Sequence, residues 1–437
     1  MDPKHARTQL NQVKRDYARY INPSKVDYLE RAGLEFVEAK REGSKIWSTA
    51  GQTYFDCRDD AGIFNFGHKN PKLTKALQKA ILQYDIGNNL FLSQSRINLA
   101  KKLIDMCLKG SYDCVNFGVS GSEAVDLAIK MARAYSRKSE VISATKGYYG
   151  GTGLAMSATG ERAYSRPFRP LMPEFKQVTF GDADELEDAI TSETACVILE
   201  PTLGHAGVIK PPQGYFERVR EICDDHNVIL IVDEIQTGMN RTGTFLAIEN
   251  ENIIPDMIIL GKALSGGLTP ISAVVYKEKY QDIWNEYPMS HQSTFAGNEL
   301  ACEVALQTLQ LTQEKSLKSR MQKGSDLIED FFVDALEKYP ELIWDFRQSG
   351  YLMCLEMYSE DLGFEMARAL FKEGVLVEPL PHNPRNIRIM PSLTTSLKEI
   401  KEILAAFERA LETLHDQEVE DHPIRTTFRE ALSEVRP

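Results

Sequence analysis

A chain of 437 residues exceeds one ordinary domain and is long enough to bury a sizeable core. Its 43% hydrophobic and 26% charged residues are those of a globular protein, which excludes a disordered or fibrous class. A net charge of −12 argues against a nucleic-acid or anionic-membrane surface, since both need a basic face.

Residues 1–20 lack the apolar stretch and small-residue cleavage site of a secretory signal, and no apolar run approaches the ~20 residues of a membrane helix. Residues 45–47 and 54–57 read as a small hairpin turning at 50–52. From about residue 112, β-branched runs alternate with helical spacing. Strands are expected at 114–117, 140–145, 177–180, 195–199, 228–233, 257–260 and 272–276, and helices at 122–137, 183–190 and 214–227. Several strands are nearly continuous apolar runs, as in VILIVDE and MIILGK. Strands buried on both faces look like this, and strand–helix alternation implies right-handed crossovers in a mostly parallel sheet. A long charged helical stretch follows, then strands at 351–357 and 387–390 and a helix at 397–414. Residues 415–437 are polar and read as a solvated tail or helix. The expected class is α/β, with a large domain of mostly parallel sheet flanked by helices at 84–311. A smaller α+β domain would be built from both termini, residues 1–83 and 312–437. The seven cysteines (57, 107, 114, 196, 223, 302, 354) form no CxxC pair and no zinc spacing, and read as reduced thiols of a cytoplasmic protein.

Open α/β sheets bind ligands at the carboxyl ends of their strands, and four short motifs fall there. GVSGSEA (118–124) opens a helix. Ser120 and Glu123 have capping-box spacing, which any well-made helix start would use. Equally, Gly121 permits close backbone approach, and free N–H groups with the Ser122 hydroxyl suit a phosphate. In GYYGG (147–151), Tyr148 is either a packing residue or a flat surface for a ring. Asp233 ends VILIVDE; it could cap a turn, or keep a pyridine nitrogen protonated beside it. Gln236 is then placed to hydrogen-bond the ring's phenolic oxygen. Lys262 follows an apolar strand and precedes glycines, a setting where desolvation frees an amine for Schiff-base chemistry. Singly, none of these decides the function.

In this order, the motifs resemble the class III, fold-type-I aminotransferases that use pyridoxal 5'-phosphate (PLP), over residues 22–414. GVSGSEAVDLAIKMAR is similar to the family's phosphate-cup helix, Tyr148-Tyr149-Gly150 to its aromatic-His-Gly segment, and VILIVDEIQTG to its Asp-Glu-x-Gln-Thr-Gly signature. Glu200-Pro201, LGKALSGG, HQSTFAGNELAC and IRIMPSLT complete the set. The resemblance implies that Ser120, Gly121 and Ser122 receive the phosphate, that Tyr148 stacks on the ring with Glu200 nearby, and that Asp233 and Gln236 hold its nitrogen and phenolic oxygen. It implies a Schiff base on Lys262, which then shuttles a proton, and a carboxylate-binding Arg388. It also implies a homodimer in which Thr294 binds phosphate across the subunit interface. The nearest likeness is to the putrescine and ornithine/acetylornithine branch, so a transaminase moving an amino group from an ω-amine or amino acid to a 2-oxo acid is expected. Two departures stand out: His205 occupies the position where many relatives pair a glutamate with the carboxylate-binding arginine, and Tyr149 replaces a histidine. They leave room for a racemase, epimerase or aminomutase on the same scaffold. A PLP-binding scaffold without activity is disfavoured, because Lys262, Asp233, Gln236 and Arg388 are all present.

Overall fold

The computed structural model describes residues 3–87 and 90–421. Contacts divide the chain into two compact units. One holds residues 61–64 and 70–314; the other combines residues before 61, residues 65–69 and residues from 315 onward. In chain order, β1 (Glu38–Glu42), β2 (Lys45–Ser48) and β3 (Thr53–Asp56) belong to the composite unit. The larger unit contains β4 (Cys114–Gly118), β5 (Glu140–Ala144), β6 (Phe175–Val178), β7 (Thr194–Leu199), β8 (Ile229–Asp233), β9 (Met257–Leu260) and β10 (Ser272–Tyr276). The composite unit resumes with β11 (Ile343–Ser349), β12 (Leu352–Met357), β13 (Val375–Leu376), β14 (Glu378–Leu380) and β15 (Asn383–Ile389).

The larger unit is an α/β layer structure. Its seven strands run β4-β10-β9-β8-β7-β5-β6; every pair from β9 through β6 is parallel, and β10 is antiparallel to both its neighbours. Every residue of β5, β7, β8, β9 and β10 is buried, which is why their sequences show no polar alternation. The helix Gly121–Ser136 lays Ala124, Leu127, Ala128 and Met131 into a core shared with Ile231, Ile259 and Val274. Burial of each large side chain there contributes about 1.5–3 kcal/mol. After β5 the chain moves to β6 on one side, and after β7 it moves to β8 on the other. The crevice beyond the carboxyl ends of β5 and β7 is therefore the topological switch point, where open sheets bind ligands.

The composite unit contains two four-stranded sheets, β1-β2-β3-β13 and β11-β12-β15-β14. The expected hairpin is β2–β3, and its turn carries Gly51 at φ +88°, a left-handed conformation that glycine adopts without strain. Arg388 lies on β15, opposite Glu378 of β14 and Cys354 of β12.

Some elements differ from the sequence reading. β6 begins two residues before the expected 177–180; it is an edge strand with only Val178 buried, so its apolar signal is weak. The helices Pro3–Tyr20, Pro23–Arg31, Pro71–Ile81 and Gln94–Met106 were not expected. Pro23–Arg31 buries no residue, and Pro71–Ile81 buries only Leu73 and Ala80. Pro71–Ile81 packs against Glu299–Thr312 within the larger unit, so that unit extends before residue 84. The C-terminal helix runs Leu397–Asp421, and the rest of the expected polar tail lies outside the described residues. No helix among the described residues is long and apolar enough to cross a membrane.

Candidate active site

Gly121, Ser122, Tyr148, Tyr149, Gly150, Glu200, His205, Asp233, Ile235, Gln236 and Lys262 line one cavity at the carboxyl ends of β4, β5, β7, β8 and β9. Eight of the eleven residues expected at the site from sequence are therefore together. Ser120 and Thr294 do not line it, and Arg388 belongs to the composite unit.

The wall formed by the helix start follows from local geometry. Ser120 is extended (φ −142°, ψ 158°) and its Oγ accepts from the Glu123 N–H at 3.2 Å, so this hydroxyl is committed to the cap. Glu123 reaches back to the Val119 N–H at 2.6 Å rather than to that of Ser120. Beyond the cap, the first N–H groups of a 16-residue helix open at Gly121 and Ser122, where the helix dipole favours an anion. Ser122 Oγ accepts from the Gly151 N–H at 3.1 Å, which leaves its own proton to donate. Two glycines make this approach possible. A Cβ on Gly121 would stand 2.8 Å from Ile235 Cδ1, and one on Gly150 (φ +136°) would stand 2.1 Å from Ser122 Oγ.

Charge collects at the carboxyl ends of β7, β8 and β9. Asp233, 4% exposed, accepts from the Ile235 N–H at 2.9 Å; Glu200, also 4% exposed, accepts from the Tyr148 N–H at 3.0 Å and ties the β5 loop to the end of β7. Burial pushes both carboxyls well above their usual range; Asp233 raises Glu200 further, and the Lys262 ammonium lowers both. Two buried carboxyls facing one ammonium leave the cavity short of positive charge. Lys262 sits at φ +39°, in the left-handed region that a β-carbon disfavours. Gln236 Nε2 donates to the Ala61 carbonyl at 3.0 Å, while its Oε1 is buried without a partner against Gly204.

The aromatic side is a cluster. The rings of Tyr148 and His205 are 4.4 Å apart at 30°, those of Tyr148 and Tyr164 are 4.9 Å apart, and Tyr164 Oη lies 3.4 Å from His205 Nδ1. Tyr149 has a structural place. It is 2% exposed, its hydroxyl donates to the Ile198 carbonyl at 3.0 Å, and its ring is part of the core. Burial pushes its phenol far up, so it is no acid or base at neutral pH. Sequence reasoning missed Ile235 and Gly150 as lining residues, although both lie inside motifs it singled out. Among the described residues no group of His, Cys, Asp and Glu could hold a metal.

A cavity at the switch point of a mostly parallel seven-stranded sheet, with a lysine after one central strand and an aspartate ending its neighbour, defines a fold-type-I enzyme. The class-III aminotransferase family model matches residues 29–411, and the chain belongs to that family. A protein of Archaeoglobus fulgidus described as an uncharacterized aminotransferase is 36% identical over 396 residues, 91% of this chain and 93% of that one. The ornithine aminotransferase of Toxoplasma gondii superposes with a TM-score of 0.83 at 29% identity, covering 88% of this chain and 92% of that chain. A second structure of that enzyme is described with PLP at partial occupancy (TM-score 0.82, 29% identity, 87% and 91% covered). The acetylornithine aminotransferase of Elizabethkingia anophelis gives a TM-score of 0.76 at 28% identity over 86% and 94%. Class-III aminotransferases depend on PLP and act on amines or amino acids and 2-oxo acids; this chain is a transaminase of that class. The racemase, epimerase and aminomutase alternative draws no support from these relatives, all described as aminotransferases.

Proposed function

We propose that the cavity binds PLP and that the enzyme moves an amino group from an ω-amine or amino acid to a 2-oxo acid, with Lys262 as the covalent anchor. The observation that carries this reading is the convergence of Ser122, Tyr148, Asp233, Gln236 and Lys262 on one cavity short of positive charge. The residues fit the cofactor: an anion site at a helix N-terminus, a deficit that a protonated ring nitrogen would fill, and an amide whose Nε2 carries a second N–H beyond the one given to Ala61. When bound, PLP supplies an aldehyde that condenses with an amine and a ring that takes up the electron pair released at the substrate carbon.

Each side chain then has a task. Asp233 keeps the ring nitrogen protonated, and the second N–H of the Gln236 amide serves the phenolic oxygen. Ser122 and the Gly121–Ser122 backbone hold the phosphate, with Ser120 fixing the helix start that presents them. Tyr148 offers its ring face, steadied through its N–H by Glu200, and His205, packed at a tilt against Tyr148, shapes the substrate side. Lys262 would hold the cofactor through its Nζ, and the same amine would take a proton at one carbon and return it at another. Arg388 holds a substrate carboxylate.

A homodimer, with Thr294 of one subunit meeting the phosphate site of the other, completes the proposal. Thr294 is exposed, and so is an apolar run at Ile81, Leu82, Ile86, Leu90, Phe91 and Leu92, 53–97% exposed, which suits burial against a second copy. The proposed compartment is the cytoplasm, supported by seven free cysteines, six of them buried.

The test is reduction of the PLP-loaded enzyme with borohydride followed by peptide mapping, together with a donor screen. The label should fall on Lys262, and Lys262→Ala should lose turnover by at least ~10³-fold while remaining folded. A label on another lysine, or a turnover-competent Lys262→Ala, would refute the assignment.

A further inference from the structure

We propose that Glu378 determines which substrates Arg388 admits: it closes on the guanidinium when the bound substrate has no carboxylate there, and yields it to an arriving carboxylate. This rests on the reading that Arg388 takes the carboxylate of the 2-oxo acid.

The observations lie within one sheet. Arg388 and Glu378 are register partners on neighbouring strands, 4% and 20% exposed in their side chains, and Nη2 of Arg388 donates to Glu378 Oε2. The guanidinium is nevertheless unfinished, because Nε and Nη1 are both buried without a hydrogen-bond partner. Arg347 of the same sheet shows what a completed structural arginine looks like. Its Nη1 donates to Asp345 and Glu356, both at 2.7 Å, and its Nη2 to Asn386 at 2.7 Å. A buried donor left unpaired is costly, so a guanidinium left with two of them is poised for a further acceptor. A carboxylate is the ligand whose two oxygens match adjacent guanidinium nitrogens.

Glu378 also has somewhere to go. The charge of Arg58 acts on its carboxylate along with that of Arg388, and among the described residues the ion-pair partner of Arg58 is the exposed Asp60, at 3.6 Å. Asp56 repels Glu378 but is itself held by His68 at 2.8 Å. With Glu378 on Arg388, the guanidinium charge is neutralised and a donor without a carboxylate meets no bare cation. With Glu378 turned to Arg58, Arg388 is free for the acid. The Glu378–Arg388 pair thereby serves two substrates of different charge, a task for which His205 carries no permanent negative charge.

The experiment uses the PLP-loaded enzyme and glutarate, a saturated dicarboxylate that cannot react, with affinity read by calorimetry. Glu378→Gln keeps the shape and removes the charge, and should tighten glutarate by at least ~5-fold while raising the KM for butylamine relative to that for the 2-oxo acid. Glu378→Asp, which retains the charge on a shorter arm, should tighten it less. Arg58→Gln should act in the opposite sense and weaken glutarate. If Glu378→Gln lowers the melting temperature but leaves glutarate affinity and the KM ratio as they were, the pair is structural and the proposal is overturned. Arg388→Lys separates the two readings. If it leaves glutarate affinity unchanged, Arg388 is not the carboxylate site; if it weakens glutarate while Glu378→Gln does not tighten it, only the gate fails.

Discussion

A carboxyl buried at the end of a central strand resists ionisation unless something cationic stands against it, and Asp233 is in that position. Its proton affinity in the fold is raised by burial, so between the ordinary aspartate range and neutrality the native state keeps a proton that the unfolded chain has released. Stability therefore falls as pH rises through that window and is regained on acidification. The cofactor-free protein should lose stability between about pH 5 and pH 7, as read by urea midpoints, and Asp233→Asn should flatten the slope. Glu200 is shifted in the same direction and keeps part of it. Adding PLP should flatten the slope in the wild type too, because a cation then faces the carboxylate; an identical slope with and without cofactor would argue against Asp233 meeting the ring nitrogen. At this scale much of the site was legible. Asp233, Gln236 and Lys262 sit in motifs directly after apolar strands, and a strand's end is readable from its run of β-branched residues. Glu378 was not legible, because its partner is set by the β14–β15 register, which no local pattern encodes. Tyr149 was legible as a departure but not as a core residue, since its anchoring carbonyl, Ile198, is 49 positions away.

At the level of elements, the site is an interlock between the helix Gly121–Ser136 and the loop after β5. Gly150 backs onto Ser122 so closely that any side chain must displace the hydroxyl. Gly150→Ala should therefore weaken PLP retention by ~10-fold or more, with both the clash and the positive φ contributing, while the sheet remains intact by circular dichroism. Wild-type retention on dialysis would show that the loop can yield. The central strands could be read because burial on both faces removes polar alternation, which is also why β6 at the edge was displaced. The helices before residue 107 could not, because they bury few residues: their order comes from packing partners distant in sequence, as when Pro71–Ile81 meets Glu299–Thr312.

For the whole molecule, the chain returns to its first unit briefly at residues 65–69 and then from residue 315 onward, so the composite unit depends on strands contributed from both ends. β13 pairs in parallel with β3 across more than 300 residues, a long-range closure that sequence patterns do not reveal. The proposed dimer makes a claim of its own. If Thr294 acts across the interface, Lys262→Ala and Thr294→Glu subunits are each inactive alone but complementary when mixed. A 1:1 mixture should recover about a quarter of wild-type activity, since half the dimers are mixed and each holds one complete site. Recovery near zero would place Thr294 in its own subunit's site.

The backbone at Lys262 bears on how such a site persists. At φ +39° the residue best suited to folding is glycine, yet the position holds a long charged side chain. Selection for thermal robustness alone would push this position away from lysine. If Lys262 is the covalent anchor proposed above, a screen for hardier variants that ignores activity should accept replacements here that a screen for turnover rejects.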